Sequence, residues 1–490
     1  MMKNNLSKKT LFLFLFAIAV NSFMTLTAQT NIQFEFRKDH TFKIAQFTDL
    51  HWDNKSPKCA LTAETIKHVL AVEKPDLAIL TGDIVTDVPA KEGWLAVSKI
   101  FADAMIPWAV TLGNHDAESE ITRDQIFGLL QPLPYFAGSK GPELYGCGNY
   151  NLPVKASDGK SIVAVIYCFD SNDYPRDKKI GNYDWIHFDQ IDWYRKTSDK
   201  YTGLNNKSPV PSLAFFHIPL VEFKEISGKE STVGINKGGV GSSIINAGLF
   251  ASMFEKKDIM GVFVGHDHSN NYIGVSHDIC LAYGQVTGAD ASGAIECGSR
   301  IIDLHEGEFR FDSWIRTKAG IKYKYNYPPG FSIDDAKVEY LPATQINDLK
   351  PGVSYNYFEG SFKSTAELAS AKIKKNGILK NISIETAAVL DSFAFEFKAW
   401  LKIPKKGVYS FYTYSDDGSK LFIDGKEVVN NDGSHGARRR DGKIALDEGF
   451  HEFRLLYFED YMGNLLEAGF SSISIRECKI PDNYFYTNIF

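Results

Sequence analysis

Between Phe42 and His268 five apolar runs each end in a short polar turn bearing histidine or aspartate, and this ordered set restricts the folds open to the chain. The turns are Asp49-Leu50-His51, Gly82-Asp83, Gly113-Asn114-His115-Asp116, His217 and Gly265-His266-Asp267-His268. Runs such as Leu77-Ala78-Ile79-Leu80 and Trp108-Ala109-Val110-Thr111-Leu112 have the length and apolar continuity of buried strands. Residues 62–74 repeat apolar positions at helical spacing (Ile66, Val69, Leu70) and stop before Pro75, and residues 92–105 read as a second helix. Strand and helix alternate to about Trp314, which predicts an α/β domain with mixed sheets. Functional groups in such sheets gather at the carboxyl ends of strands, so the five turns are expected along one edge. A single Gly-Asp or a lone histidine carries little information; the order of the whole set carries the inference.

The residue types point to metal chemistry. Imidazole nitrogen and carboxylate oxygen suit divalent Zn, Fe or Mn. Asp49 and His51 stand two apart, as do His266 and His268, so each pair spans one chain end. Two cations ~3.5–4 Å apart repel strongly unless an anion lies between them. Asp83 is the candidate bridge, and Asn114 supplies a neutral amide oxygen that limits the negative charge at the second ion. Such a pair lowers the pKa of a water towards ~7 and offsets phosphoryl charge, so a phosphorylated small molecule or other phosphate ester is the expected substrate. No GxSxG turn or GxxxxGK[ST] loop accompanies these turns.

On these residues the chain resembles the calcineurin-like metallophosphoesterase superfamily, in a non-purple branch related to the purple acid phosphatases. The resemblance covers residues 43 to about 314 and implies two packed mixed β-sheets flanked by helices. It also implies Asp49, His51, Asp83 and His268 on one metal ion, and Asp83, Asn114, His217 and His266 on the other. His115 would be the catalytic histidine that is not a ligand, with Asp116 orienting it. The tyrosine that binds ferric iron in purple acid phosphatases is replaced by Thr86, which favours an all-divalent site. Substrate contacts are less constrained. The segment Asp170-Ser171-Asn172-Asp173-Tyr174 is either pocket lining or a polar turn, the aromatics between Tyr183 and Tyr194 are expected to pack, and residues 227–243 read as a long loop.

Beyond a Lys-, Tyr- and Pro-rich stretch at 320–329, read as a linker (319–348), the pattern becomes that of an all-β sandwich over 349–485. Ser415-Asp416-Asp417-Gly418-Ser419 followed by Leu421-Phe422-Ile423-Asp424-Gly425 resembles the protective-antigen-type β-sandwich. The resemblance makes Asp416 and Asp417 candidate Ca²⁺ ligands and a glycan a candidate partner. The competing expectation for the two aspartates is a turn closed by Asx bonds. Arg438-Arg439-Arg440 reads as a solvated loop.

The first 28 residues have a basic start (Lys3, Lys8, Lys9), a short apolar stretch at 11–20 and a small-residue site ending at Ala28, the pattern of a cleaved export signal. The expected enzyme domain is then 29–318, periplasmic or secreted, with no later membrane span. A formal net charge of −6, more negative still without those three lysines, does not suit a nucleic-acid coat. Six cysteines without a CxxC pair or a Cys-rich cluster argue against a thiolate zinc site, and Cys168 and Cys280 are expected as buried free thiols. The function expected from all this is an exported dimetal phosphatase. A phosphodiesterase on the same site is the first alternative, and a glycan- or surface-binding protein on a non-catalytic scaffold is the second.

Overall fold

The structure, a computed structural model, describes residues 32–118, 120–229, 231–291, 295–329 and 338–488. The expected leader, 1–28, lies outside the described residues. The chain divides into two compact units, one running to Asp303 with Ser313–Lys324, the other comprising Leu304–Asp312 and Tyr325–Phe490.

In chain order the strands up to Tyr327 are β1 (Phe34–Glu35), β2 (Thr41–Phe47), β3 (Leu77–Thr81), β4 (Trp108–Thr111), β5 (Tyr150–Lys155), β6 (Ile162–Cys168), β7 (Ser212–Phe215), β8 (Ile259–Val264), β9 (Ile273–Ser276), β10 (Ile279–Tyr283), β11 (Gly298–His305), β12 (Phe311–Thr317) and β13 (Gly320–Tyr327). They form a seven-stranded sheet, β1-β5-β6-β7-β8-β10-β9, and a six-stranded sheet, β13-β12-β11-β2-β3-β4. Every residue of β3, β4, β7 and β8 is buried, which is why these strands read as unbroken apolar runs rather than alternating ones.

The sheets face each other through polar links as well as apolar packing. Gln46 on β2 donates to the Val264 carbonyl on β8 at 3.0 Å. The fully buried Arg300 on β11 donates to the carbonyls of Tyr283 on β10 and of Asn271 at 2.7 and 2.5 Å. Helices Cys59–Glu73 and Ala90–Ala104 are the crossovers between β2, β3 and β4. Each ends on a left-handed residue, Lys74 or Met105, before a proline-containing strand entry. Parallel pairing of β2 with β3, β3 with β4, β6 with β7 and β7 with β8 sets these strands' carboxyl ends along common edges.

The 320–329 stretch read as a linker is instead mostly β13, the edge of the six-stranded sheet. Its alternation of Lys with Ile and Tyr is that of an edge strand whose outward lysines discourage further pairing, and compositional reading mistook those lysines for a solvated tether. No disulfide joins any of the six cysteines, all of which lie among the described residues. Among the described residues no helix is long and apolar enough to cross a membrane.

The second unit holds an eight-stranded and a four-stranded sheet, antiparallel in strand pairs such as Phe393–Ile403 with Gly449–Glu459 and Gly407–Asp416 with Arg438–Leu446. Its core is aromatic, with Phe395, Phe397, Tyr409, Phe411, Phe453, Tyr457 and Phe470 all buried. Asp424 and Gly425 take φ of 45° and 75° between strands Ser419–Ile423 and Lys426–Asn431, the doubly left-handed corner that a two-residue hairpin requires. Arg438-Arg439-Arg440 opens a strand rather than a loop. Arg439 pairs with Asp441 and Glu477, each at 2.6 Å, and its guanidinium lies 4.1 Å from the Tyr412 ring centroid. Glu477 and the Tyr412 ring, remote in sequence, join the nearby Asp441 in pairing this basic run.

Candidate metal centre

Five strand ends deliver the side chains. Asp49 and His51 follow β2, Asp83 follows β3, Asn114 and His115 follow β4, His217 follows β7, and His266 and His268 follow β8. Three of the strands belong to one sheet and two to the other. Asp49, His51, Asp83 and His266 all have positive φ, of 52°, 43°, 53° and 78°. Non-glycine residues rarely adopt this backbone, and such strain persists only where surrounding structure enforces it, as at functional sites. Two glycines permit the close approach. A Cβ on Gly82 would collide with the His217 ring, and one on Gly113 would collide with the Asp83 carboxylate.

The donors converge in two groups that share Asp83. Asp49, His51, Asp83 and His268 form one, and Asp83, His217 and His266 form the other, with the facing atoms of each group within 4.8 Å of one another. Asp83 Oδ2 lies 3.1 Å from His217 Nε2 and 3.7 Å from His51 Nε2. His268 Nε2 lies 3.3 Å from Asp49 Oδ1 and 3.1 Å from His51 Nε2, and His266 Nδ1 lies 3.2 Å from His217 Nε2. Imidazole nitrogens that meet each other and carboxylates at these distances are short of protons for mutual hydrogen bonding, and a cation satisfies them all. The Asn114 amide oxygen is buried and accepts no hydrogen bond, an orphan that the same cation would satisfy.

Supporting contacts aim these groups. His217 Nδ1 donates to the Thr81 carbonyl at 2.8 Å, which leaves Nε2 facing the site. Thr48 Oγ1 donates to Asp49 Oδ2 at 2.8 Å, and the His115 backbone N–H donates to Asp83 Oδ1 at 2.9 Å. Burial pushes the His266 imidazole down to about 3, helped by the His217 charge, and burial lowers His51 too. Burial would also push the Asp83 carboxyl up, yet His217 and His51 outweigh it and hold Asp83 well below the usual range. Against the effect of burial, the Asp83 carboxylate pushes the His217 imidazole up to about 9 and Asp49 raises His268. Ionised carboxylates beside the neutral His51 and His266 are ready donors, and a divalent metal would displace the protons that His217 and His268 hold.

Asp116 does not orient His115. Its buried carboxylate accepts from four backbone N–H groups: Ile84 and Val85 on Oδ1 at 2.7 and 3.0 Å, Asp83 and Gly113 on Oδ2 at 3.0 and 2.8 Å. With both oxygens occupied by the β3 and β4 turns, it fixes the loop that carries Asp83. Burial and the Asp83 charge push its carboxyl up to about 6 against those four donors. The partner of His115 is Glu118, whose Oε2 lies 2.6 Å from Nδ1. The available signal was an acid three residues beyond the histidine, the spacing that a tight turn brings together.

Tyr174, in the segment left open between pocket and turn, reaches the centre. Its hydroxyl meets Asn114 Nδ2 at 3.0 Å and Glu118 Oε1 at 2.8 Å. Asp170, at the start of that segment, is structural: buried, it pairs with Arg123 at 2.8 Å. Tyr183 places its ring edge-to-face on His266, with centroids 4.5 Å apart, whereas Trp193 and Tyr194 pack in the core as expected.

In the second unit Asp416 and Asp417 gather with Glu459, facing oxygens within 4.8 Å. Asp417 accepts from the backbone N–H groups of His435 and Asp460 at 2.6 and 2.9 Å, so it ties together loops distant in sequence instead of closing a local Asx turn. The Glu459 oxygen Oε1 is buried without a partner. Burial and the two aspartates push its carboxyl up to about 7. Glu459 lies on another strand, out of reach of local sequence reading.

Comparison with known proteins agrees with this architecture. Residues 42–270 match the calcineurin-like phosphoesterase model and residues 349–483 the PA14 domain model. The chain is 32% identical over 346 residues, 64% of its length and 89% of the relative's, to a protein of Arabidopsis thaliana named probable inactive purple acid phosphatase 29. It is 29% identical to Phosphatase DCR2 of Saccharomyces cerevisiae, over 58% of this chain and 55% of that one. A solved dimetal phosphatase from Danio rerio aligns with 58% of this chain and 98% of its own at 11% identity and a TM-score of 0.43.

Proposed function

Because the chain belongs to the calcineurin-like phosphoesterase family and carries a PA14 domain after it, we propose that it is an exported hydrolase of phosphate esters working through two divalent ions, Mn, Fe or Zn. The observation that carries this reading is the double cluster pivoting on Asp83, with the Asn114 oxygen left without a partner beside it. Asp49, His51, Asp83 and His268 would hold one ion, and Asp83, Asn114, His217 and His266 the other. When bound, the pair would supply an activated water and offset the charge on the phosphoryl oxygens.

The chain's own residues do the rest. His115 stands at the rim, with its ring centroid 5.7 Å from that of His51, where it can steady or protonate the departing oxygen. Tyr174 and Tyr183 wall the opening with rings 6.4 Å apart, and the Lys178 ammonium, 4.7 Å from the Tyr174 centroid, offers a cation to an approaching anionic ester.

The test is elemental analysis of purified protein beside turnover of 4-nitrophenyl phosphate and bis(4-nitrophenyl) phosphate. Two metals per chain and chelator-sensitive release of nitrophenol are expected. Preference for the first substrate marks a monoesterase and for the second a diesterase. His115→Ala is expected to keep both metals while kcat falls roughly 10²–10⁴-fold, the range for loss of a general acid. Metal-loaded protein that hydrolyses neither ester would sink the hydrolase reading and favour a non-catalytic role, as the plant relative's name says of that protein.

For the second unit the proposal is Ca²⁺ held by Asp416, Asp417 and Glu459, with a glycan as ligand. Its support is three converging carboxyl groups with one oxygen lacking a partner, since hard oxygen donors suit that ion. Millimolar Ca²⁺ is expected to raise the second unit's melting temperature by several degrees, as ligand linkage requires, and Asp417→Asn to abolish the shift. An unchanged melting temperature would rule the site out.

A further inference from the structure

We propose that Glu118 and Tyr174 are positioning residues that set, through one chain of hydrogen bonds, both the nitrogen that His115 presents and the way the Asn114 amide faces. The chain has a direction because its anchor can only accept. An ionised Glu118 has no proton to give. Its Oε2, 2.6 Å from His115 Nδ1, therefore accepts the hydrogen bond of the Nδ1–H and leaves Nε2 as the ring nitrogen that can carry a proton to the departing oxygen. Its Oε1 takes the only proton of the Tyr174 hydroxyl, at 2.8 Å. The tyrosine oxygen can then only accept from Asn114, so the nitrogen that meets it at 3.0 Å is the donating NH₂. The amide oxygen is turned the other way, where it is buried without a hydrogen bond.

The local sequence makes this possible. Glu118 follows His115 by three residues, and its N–H donates back to the His115 carbonyl at 3.4 Å, the turn that folds its side chain over the ring. Asp116, nearer in sequence, is occupied by the four N–H groups of its own loops and is unavailable for this role. One half-exposed carboxylate thus reaches both halves of the proposed chemistry, the leaving-group side through His115 and the metal side through Asn114, while touching neither metal nor ester.

Glu118→Gln tests the direction of the chain. Glutamine keeps the size and one acceptor, which His115 would use, but points an NH₂ at Tyr174. The hydroxyl must then accept from residue 118 and donate to Asn114, which favours the flipped amide with its nitrogen towards the metals. Metal loss to a chelator, measured with Zn²⁺ or Mn²⁺ alone, is expected to become about tenfold easier, the lower end for partners of metal ligands. Tyr174→Phe, which frees the amide, should weaken retention in the same direction, and His115→Ala should not. Turnover, measured at saturating metal so that retention does not enter, supplies a second readout. Glu118→Gln should lower kcat on phenyl phosphate about tenfold more than on 4-nitrophenyl phosphate, whose leaving group needs little protonation, with KM unchanged and no further loss in a His115→Ala background.

The kinetic arm rests on the hydrolase reading, and the metal-retention arm does not. A wild-type protein that binds metal but hydrolyses no ester would defeat that reading and leave the positioning role to be decided by chelation. Wild-type metal retention in both Glu118→Gln and Tyr174→Phe overturns the proposal, as does equal loss on the two esters.

Discussion

Asp83→Ala is expected to leave the purified protein with at most one metal ion per chain and to lower kcat on 4-nitrophenyl phosphate by roughly a thousandfold or more, each ~1.4 kcal/mol of lost transition-state stabilisation being tenfold. Asp83 is the only residue in both donor clusters, so its loss removes a ligand from each at once. The electrostatic argument is stronger than the count. Two dications at contact distance repel by on the order of 10 kcal/mol or more even at an effective dielectric of ~20. An intervening carboxylate counters that term, and an imidazole, which carries no negative charge, cannot replace it. Fold loss is a smaller concern here, because the residue-83 backbone N–H stays on Asp116 when the side chain is removed, although the His115 N–H loses its acceptor. Metal content by elemental analysis, with circular dichroism as a control for folding, decides the matter. Two metals per chain and full turnover in the variant would remove Asp83 from the bridging role.

Asp116→Ala is expected to act on stability, by on the order of 3–5 kcal/mol, the usual cost of stripping a buried charged acceptor from its partners. Four backbone N–H groups lose their acceptor in a fully enclosed position, and alanine offers nothing in return. Asparagine is little better than alanine here. Two donors face each carboxylate oxygen, so the amide NH₂ of Asp116→Asn would confront two N–H groups wherever it turned. Urea unfolding should show both variants with lowered midpoints, and the loss should persist in metal-depleted protein. A variant as stable as the wild type, but with His115 disordered, would return Asp116 to the orienting role that the resemblance implied.

The contrast between Asp116 and Glu118 marks where local reading ends. The strand-end turns were legible because β3, β4, β7 and β8 are buried throughout, and β2 over its last four residues, so that each reads as a mainly apolar run ending in polar residues. The order of those turns sufficed to nominate the donors that now lie around Asp83. Which acid serves His115 depended instead on where the N–H groups of Ile84 and Val85 point, a tertiary fact with no local trace. Glu459 is hidden for the same reason: it reaches Asp416 and Asp417 through sheet pairing of strands about forty residues apart. β13 was missed for a different one. Edge strands are lysine-rich because they must stay unpaired on one side, and composition alone cannot tell that from a tether.

The left-handed corners at Asp49, His51, Asp83 and His266 place the centre in conflict with the fold's own stability. Each costs about 1–3 kcal/mol relative to relaxed backbone, and glycine would relieve every one of them. A sequence optimised for firmness alone would therefore drift towards glycine at these four positions, becoming sturdier and chemically blank. That aspartate and histidine stand there instead makes them poor targets for stabilising design, and thermostability screens on this scaffold would select against its chemistry unless turnover or metal content were scored alongside.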